Sequence, residues 1–147
     1  MASPDAKIPH YYKIYLYKRV VQAKLFIDVH YAERINLNSI ADEAYFSKYH
    51  FIRLFKSIYG KTPHHYLTQV RINAAKQLLK KDIQVSEVCT SVGFDSATSF
   101  AVLFKKSVGL SPSAYQQQQR QRMTDIVARP LRYVPNCFVE TYGWNKN

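Results

Sequence analysis

The sequence predicts an all-α protein of about seven helices, in which two copies of a unit made of a short helix, a turn and a longer helix are joined by one long linker helix. Three observations carry that prediction. Only 4 glycines and 6 prolines occur in 147 residues, too few for the many turns of a β-sandwich or barrel. Apolar residues recur at three- and four-residue spacing rather than in alternation. Part of the chain also repeats: at an offset of 49, Ser47, Phe51, Phe55, Lys56, Gly60, Pro63 and Tyr66 fall on Ser96, Phe100, Phe104, Lys105, Gly109, Pro112 and Tyr115. Upstream the offset is 48, pairing Ile40 and Ala41 with Val88 and Cys89 and Ala44 with Val92. The second copy therefore holds one extra residue in the turn near Gly93, where a change of length belongs.

Taken in order, Tyr11 to Glu33 reads as a helix with Val20, Val21, Phe26, Ile27 and Tyr31 as core. Asn36 is placed to cap a short helix over about residues 37–44, with Ile40 and Ala41 inward and Asp42 and Glu43 near solvent. Ser47 caps the next helix. From Ser47 to Tyr59, Phe51, Leu54, Phe55 and Ile58 share one face, leaving Lys48, Tyr49, Ile52, Arg53 and Lys56 elsewhere on the cylinder. Gly60 suits the left-handed residue that closes it, and Thr62-Pro63 supplies an N-cap followed by proline at the first helical position. Ser111-Pro112 does the same in the second copy. Between the copies, Pro63 to Lys81 keeps helical spacing through Tyr66, Leu67, Val70, Ile72, Ala75, Leu78 and Leu79 without a breaker. Such a rod of about 18 residues is about 27 Å long at about 1.5 Å per residue. Past residue 122, Pro130, Pro135, Gly143 and a scatter of Tyr133, Phe138, Tyr142 and Trp144 mark a change of character, and residues 131–142 read as extended. The expected division is an N-terminal tail (1–10), a first unit (11–62), the linker (63–81), a second unit (82–122) and a C-terminal extension (123–147), either loosely packed or a contact surface.

Composition bounds the function. With 47% hydrophobic residues the chain is long enough to bury a core, and 21 Lys and Arg against 10 Asp and Glu give a net charge of +11. That excess points to a polyanionic partner, nucleic acid or an anionic membrane surface. No apolar run is long enough to span a membrane, since Lys13, Lys18, Arg19, Lys24 and Asp28 interrupt the greasiest stretch. Cys89 and Cys137 form no CxxC pair and no signal-peptide pattern precedes them, which reads as cytoplasmic. Phosphate-loop, GxSxG and HExxH motifs are missing, and His10, His30, His50, His64 and His65 make no ligand set, so the chain reads as a non-enzyme with no catalytic residue, metal or cofactor.

A short helix, a turn and a longer amphipathic helix make a helix-turn-helix, whose second helix enters the DNA major groove and needs cations around it. From Ala44 through Lys81 no acid occurs, while Lys48, Arg53, Lys56, Lys61, Arg71, Lys76, Lys80 and Lys81 do; from Ser96 through Thr124 acids are again absent, with Lys105, Lys106, Arg120 and Arg122 present. The stretch from Phe46 to Lys56 with Gly60, and that from Val92-Gly-Phe-Asp-Ser96 through Phe100, Phe104-Lys-Lys106, Gly109 and Ser111-Pro-Ser-Ala-Tyr115, resemble the DNA-binding domain of AraC/XylS-family transcription regulators over about residues 17–120. The resemblance implies two helix-turn-helix units reading successive major grooves, roughly 34 Å apart on one DNA face, and a role in regulating transcription, most often activation. It places Tyr49 where the family has an aromatic contact and Arg53 where it has a base-reading arginine. Tyr49 and Ile52 can pack on thymine methyls or belong to the core; Lys48, His50 and Lys56, with Ser47, serve phosphates.

In the second copy the base-reading arginine of many relatives is replaced by Val102. Ala97, Thr98 and Ala101 complete a face with little hydrogen-bonding capacity, while Ser96, Ser99, Lys105 and Lys106 face the backbone. The expected site is asymmetric, strict in the half read by residues 47–59 and permissive in the other. A related DNA-repair architecture places a similar domain after a zinc-bound cysteine, and its zinc cysteines are missing from this sequence. The expected partner is promoter double-stranded DNA in the nucleoid, with RNA polymerase as a further one, no membrane, and a monomer or weak dimer. A basic helical adaptor for acidic proteins or membranes remains the alternative. Many relatives carry a separate effector-binding domain for which 147 residues leave no room, so the chain is either a small stand-alone regulator or part of a longer protein.

Overall fold

The computed structural model describes residues 10–35, 38 and 47–143. The cap at Asn36, the short helix over 37–44 and Trp144 lie outside the described residues. Those described are helical throughout: α1 His10–His30, α2 Lys48–Tyr59, α3 Pro63–Lys80, α4 Val85–Ser91, α5 Ala97–Val108, α6 Pro112–Ala128, a 3-10 turn Pro130–Tyr133, and α7 Asn136–Thr141. No strand occurs among them.

The repeated punctuation works as its chemistry dictates. Ser47 and Ser96 each accept a hydrogen bond from the backbone N–H three residues on, His50 and Ser99, at 3.3 Å. Thr62 and Ser111 do the same for His65 and Ala114, each ahead of a proline at the start of a helix. Caps of this kind contribute about 1 kcal/mol each. At the other ends Gly60 and Gly109 adopt φ of 73° and 87°, the left-handed conformation that a side chain disfavours.

Two apolar clusters share the linker helix α3. Leu16, Val20, Ala23 and Ile27 of α1 pack with Phe51, Phe55 and Leu67. Ile72, Ala75 and Leu79 turn instead to Val88, Cys89, Val92, Phe100, Phe104 and Tyr115. The repeat extends to ring geometry: Phe55 meets Tyr66 edge-on at 5.7 Å, and Phe104 meets Tyr115 edge-on at 5.6 Å. Fully burying each such ring is worth roughly 1.5–3 kcal/mol. Cys89 lies in the second cluster, where burial pushes its thiol up, and Cys137 is exposed and unbridged.

Three expectations need correcting. Val21 and Phe26 of α1 are each 43% exposed rather than core. Ile14, Tyr17, Leu25 and Val29 are exposed as well, so apolar side chains are spread around α1 between its charges and do not by themselves reveal which stripe turns inward. α1 also ends at His30, and residues 31–33 form a turn closed by the Glu33 N–H on the His30 carbonyl at 2.9 Å. Finally, residues 131–142 are not extended. Pro130 opens the 3-10 turn and Pro135 stands just before α7, so both prolines start helical segments, and only Val134 between them has extended backbone.

Candidate nucleic-acid interface

The side chains proposed to meet DNA sit on α2 and α5, and the core sets their phase. Because Phe51 and Phe55 anchor α2, Tyr49, Arg53 and Lys56 fall off the buried face; these three and Lys48, at the open first turn of the helix, are exposed, Tyr49 to 77%. Ser47 at the cap is exposed too. His50 is half-buried. Ile52 is half-buried against the first cluster, at the edge of the face formed by Tyr49 and Arg53. In α5, Phe100 and Phe104 fix the same phase. Ser96, Ala97, Thr98, Ser99, Lys105 and Lys106 are exposed, Val102 is 61% exposed, and Ala101 is half-buried.

The ion pairs leave these cations out. Among the described residues the ion pairs are Lys24–Asp28, His30–Glu33, Arg34–Asp95, Arg120–Asp82 and Arg132–Asp125, and none takes in a cation of α2 or α5. Lys48, Arg53, Lys56, Lys105 and Lys106 thus have no acid partner among the described residues. Arg120, by contrast, is engaged with Asp82, a residue held at φ 66° in the turn after α3. No described helix is long and apolar enough to cross a membrane, and no cluster of three or more His, Cys, Asp or Glu able to hold a metal occurs among the described residues.

Two partly buried polar contacts hold this arrangement behind its surface. The Tyr66 hydroxyl donates to Asp28 at 2.7 Å and Lys24 meets the same carboxylate at 2.5 Å, which ties α1 to α3. Burial, then the bond to Asp28, pushes the Tyr66 phenol up, and the bond to Asp28 raises Lys24. Arg71 counts as one more cation in the acid-free run, yet it turns inward. Its Nε donates to the Tyr31 carbonyl at 2.7 Å and its Nη2 to the Glu33 carbonyl at 2.9 Å, and burial lowers its pKa against the opposing pull of Asp95. A signal for this lies in the sequence, since Arg71 stands midway between Leu67 and Ala75, four residues from each on one helical face.

Two capped, acid-free helices, α2 and α5, carried on a shared linker helix, define a double-headed DNA-binding protein. A family profile described as a helix-turn-helix domain matches residues 40–118, just over half of the chain. The chain belongs to the AraC-type helix-turn-helix family of DNA-binding transcription regulators. The solved DNA-binding domain of AdpA, described as a global transcriptional factor in complex with a target DNA, superposes with a TM-score of 0.67 at 30% identity, covering 71% of this chain and 95% of that one. The MmsAB operon regulatory protein of Pseudomonas aeruginosa is 41% identical over 93 residues, 63% of this chain and 30% of its own length. The bifunctional transcriptional activator/DNA repair enzyme AdaA of Bacillus subtilis is 36% identical over 100 residues, 67% of this chain and 47% of its own. The chain thus spans less than half the length of these two curated relatives.

Proposed function

We propose that the chain binds promoter double-stranded DNA sequence-specifically, with α2 and α5 in successive major grooves, and regulates transcription as an activator. One observation carries this reading: the same capped scaffold occurs twice, and each copy presents exposed cations without an acid partner among the described residues. Residues 11–62 and 82–122 form the two reading units, 63–81 the spacer, and 123–147 an extension outside the DNA contact.

In the first unit Arg53 forks onto a guanine edge, Tyr49 packs on a thymine methyl, and Ile52 supports the edge of that face. Ser47, Lys48, His50 and Lys56 hold phosphates. In the second, Ala97, Thr98, Ala101 and Val102 read thymine methyls and groove shape, with Ser96, Ser99, Lys105 and Lys106 on the backbone. The chain acts as a monomer or weak dimer in the nucleoid, contacts RNA polymerase, and performs no enzymatic step.

The test is selection of bound duplexes from a random library, followed by footprinting on the enriched sequence. Protection across about two turns of duplex, with more information in one half-site than the other, is the expected result. A footprint confined to one turn overturns two-groove docking, and equal information in both halves overturns the asymmetry.

A further inference from the structure

We infer that Arg71 and the turn after α1 form a clamp that sets the spacing and angle between the two units, so that a contact remote from the bases decides which half-site separation the protein accepts. The inference rests on the two-groove docking proposed above.

A single helix fixes the distance between two bodies well but resists bending and twisting only modestly, because long helices curve. A second tie removes that freedom, and residues 31–34 supply one. The Arg71 guanidinium, near the middle of α3, donates to the carbonyls of Tyr31 and Glu33 just past the end of α1. The same group lies 5.7 Å from the ring centre of Phe94, in the turn that precedes α5. One cation therefore joins backbone that continues α1, the linker, and an aromatic ring of the second unit.

The surrounding contacts agree. Tyr31 packs against both apolar clusters. Gly93, at φ 86°, lies so close to the same turn that a Cβ there would stand 2.7 Å from the Ala32 carbonyl oxygen. Arg34 reaches Asp95 at 3.2 Å, an exposed pair that adds direction more than energy. The Gly93 and Arg34 contacts run between the residue 31–34 turn and residues 93–95, which is where the second copy carries its extra residue relative to the first.

Inserting one base pair between half-sites moves the second by about 3.4 Å and turns it by about 34°. A clamped pair of units cannot follow that shift, whereas a loosened pair can. The experiment uses the whole chain and the duplex enriched from the random library, intact and with one base pair inserted or removed between the half-sites. Arg71→Met and Phe94→Leu should shrink the penalty for the altered spacing by about threefold or more, as loss of coupling between contacting elements implies. Base preference within each half-site should stay unchanged, and general destabilisation, which scales every affinity alike, would leave the spacing penalty as it was. Folded variants that keep the wild-type spacing penalty overturn the clamp.

A DNA-free readout separates this from the binding proposal. Nitroxides at Lys56→Cys and Lys105→Cys, in a Cys137→Ser background, report the distance between the two reading helices. Arg71→Met should broaden that distribution, with Arg71→Lys standing in if the first variant fails to fold. An unbroadened distribution in a folded variant overturns the clamp, and a wild type with no preferred duplex overturns the DNA reading.

Discussion

Three glycines with nearly the same backbone angle provide a graded test of how the two units are held. Gly60, Gly93 and Gly109 have φ of 73°, 86° and 87°, so alanine meets a similar left-handed strain at each, about 1 kcal/mol. Their surroundings differ. A Cβ on Gly60 or Gly109 has nothing within 4 Å, whereas on Gly93 it stands 2.7 Å from the Ala32 oxygen and 2.9 Å from both the Ala32 carbon and the Tyr31 oxygen. Those atoms are backbone and cannot rotate away, so the turn after α1 must move or the second unit must shift outward. Overpacking of this kind adds about 1–3 kcal/mol, which brings Gly93→Ala to about 2–4 kcal/mol. Equilibrium urea unfolding followed by far-UV circular dichroism measures all three variants against the wild type. If Gly93→Ala falls within about 0.5 kcal/mol of Gly60→Ala and Gly109→Ala, the turn does not press on the second unit and the reasoning fails.

Two further outcomes follow from the site and the core. Arg53→Ala should weaken binding to the enriched duplex by about 1–3 kcal/mol and relax one base position, while Lys56→Ala should weaken all duplexes alike and lower the salt slope by about one; an Arg53→Ala variant with intact base preference ends the direct-readout role. Burial raises the Tyr66 and Tyr115 phenols above their ordinary value of 10, so the folded chain keeps protons that the unfolded chain releases; stability should hold up to about pH 10 and fall as pH rises through the raised values. The double variant Tyr66→Phe/Tyr115→Phe should flatten that alkaline fall, and an unchanged fall would contradict the assignment.

What the sequence disclosed was set by how local the governing physics is. The caps at Ser47, Thr62, Ser96 and Ser111 and the closing turns at Gly60 and Gly109 depend on a residue and its immediate neighbours, and all were readable. The inward phase of α2 and α5 was readable because one polar face opposes Phe51 and Phe55, or Phe100 and Phe104. α1 lacks that contrast, which hid the exposure of Val21 and Phe26. The segment 131–142 shows no helical periodicity to read, and its prolines Pro130 and Pro135 lie at the starts of short helical segments. Arg71 was the least legible of all. Charge groups it with the other cations of the acid-free run; its spacing from Leu67 and Ala75 hints at an inward turn, and its carbonyl partners some 40 residues upstream make it a structural cation.

The two copies share their caps, their paired phenylalanines and the edge-on tyrosine, so the scaffold demands nothing different of their outer faces. Yet Arg53 of the first corresponds to Val102 of the second, and Val102 is 61% exposed. A β-branched residue standing mostly in water lowers helix propensity and buries little, so stability gives little reason for valine at that position. The remaining physical use of an exposed branched methyl on a DNA-reading helix is apolar contact with a thymine methyl. Val102→Arg discriminates between the two accounts. Because the site is open and arginine is the better helix former, the variant should fold with stability within about 0.5 kcal/mol of the wild type. If Val102 meets a base edge, selection with the variant should replace a thymine preference by guanine in the second half-site, worth about 1–3 kcal/mol, and raise the salt slope by no more than about one. If it meets none, the variant should bind every duplex alike, and the second unit would be an anchor that holds the backbone while the first unit alone reads sequence.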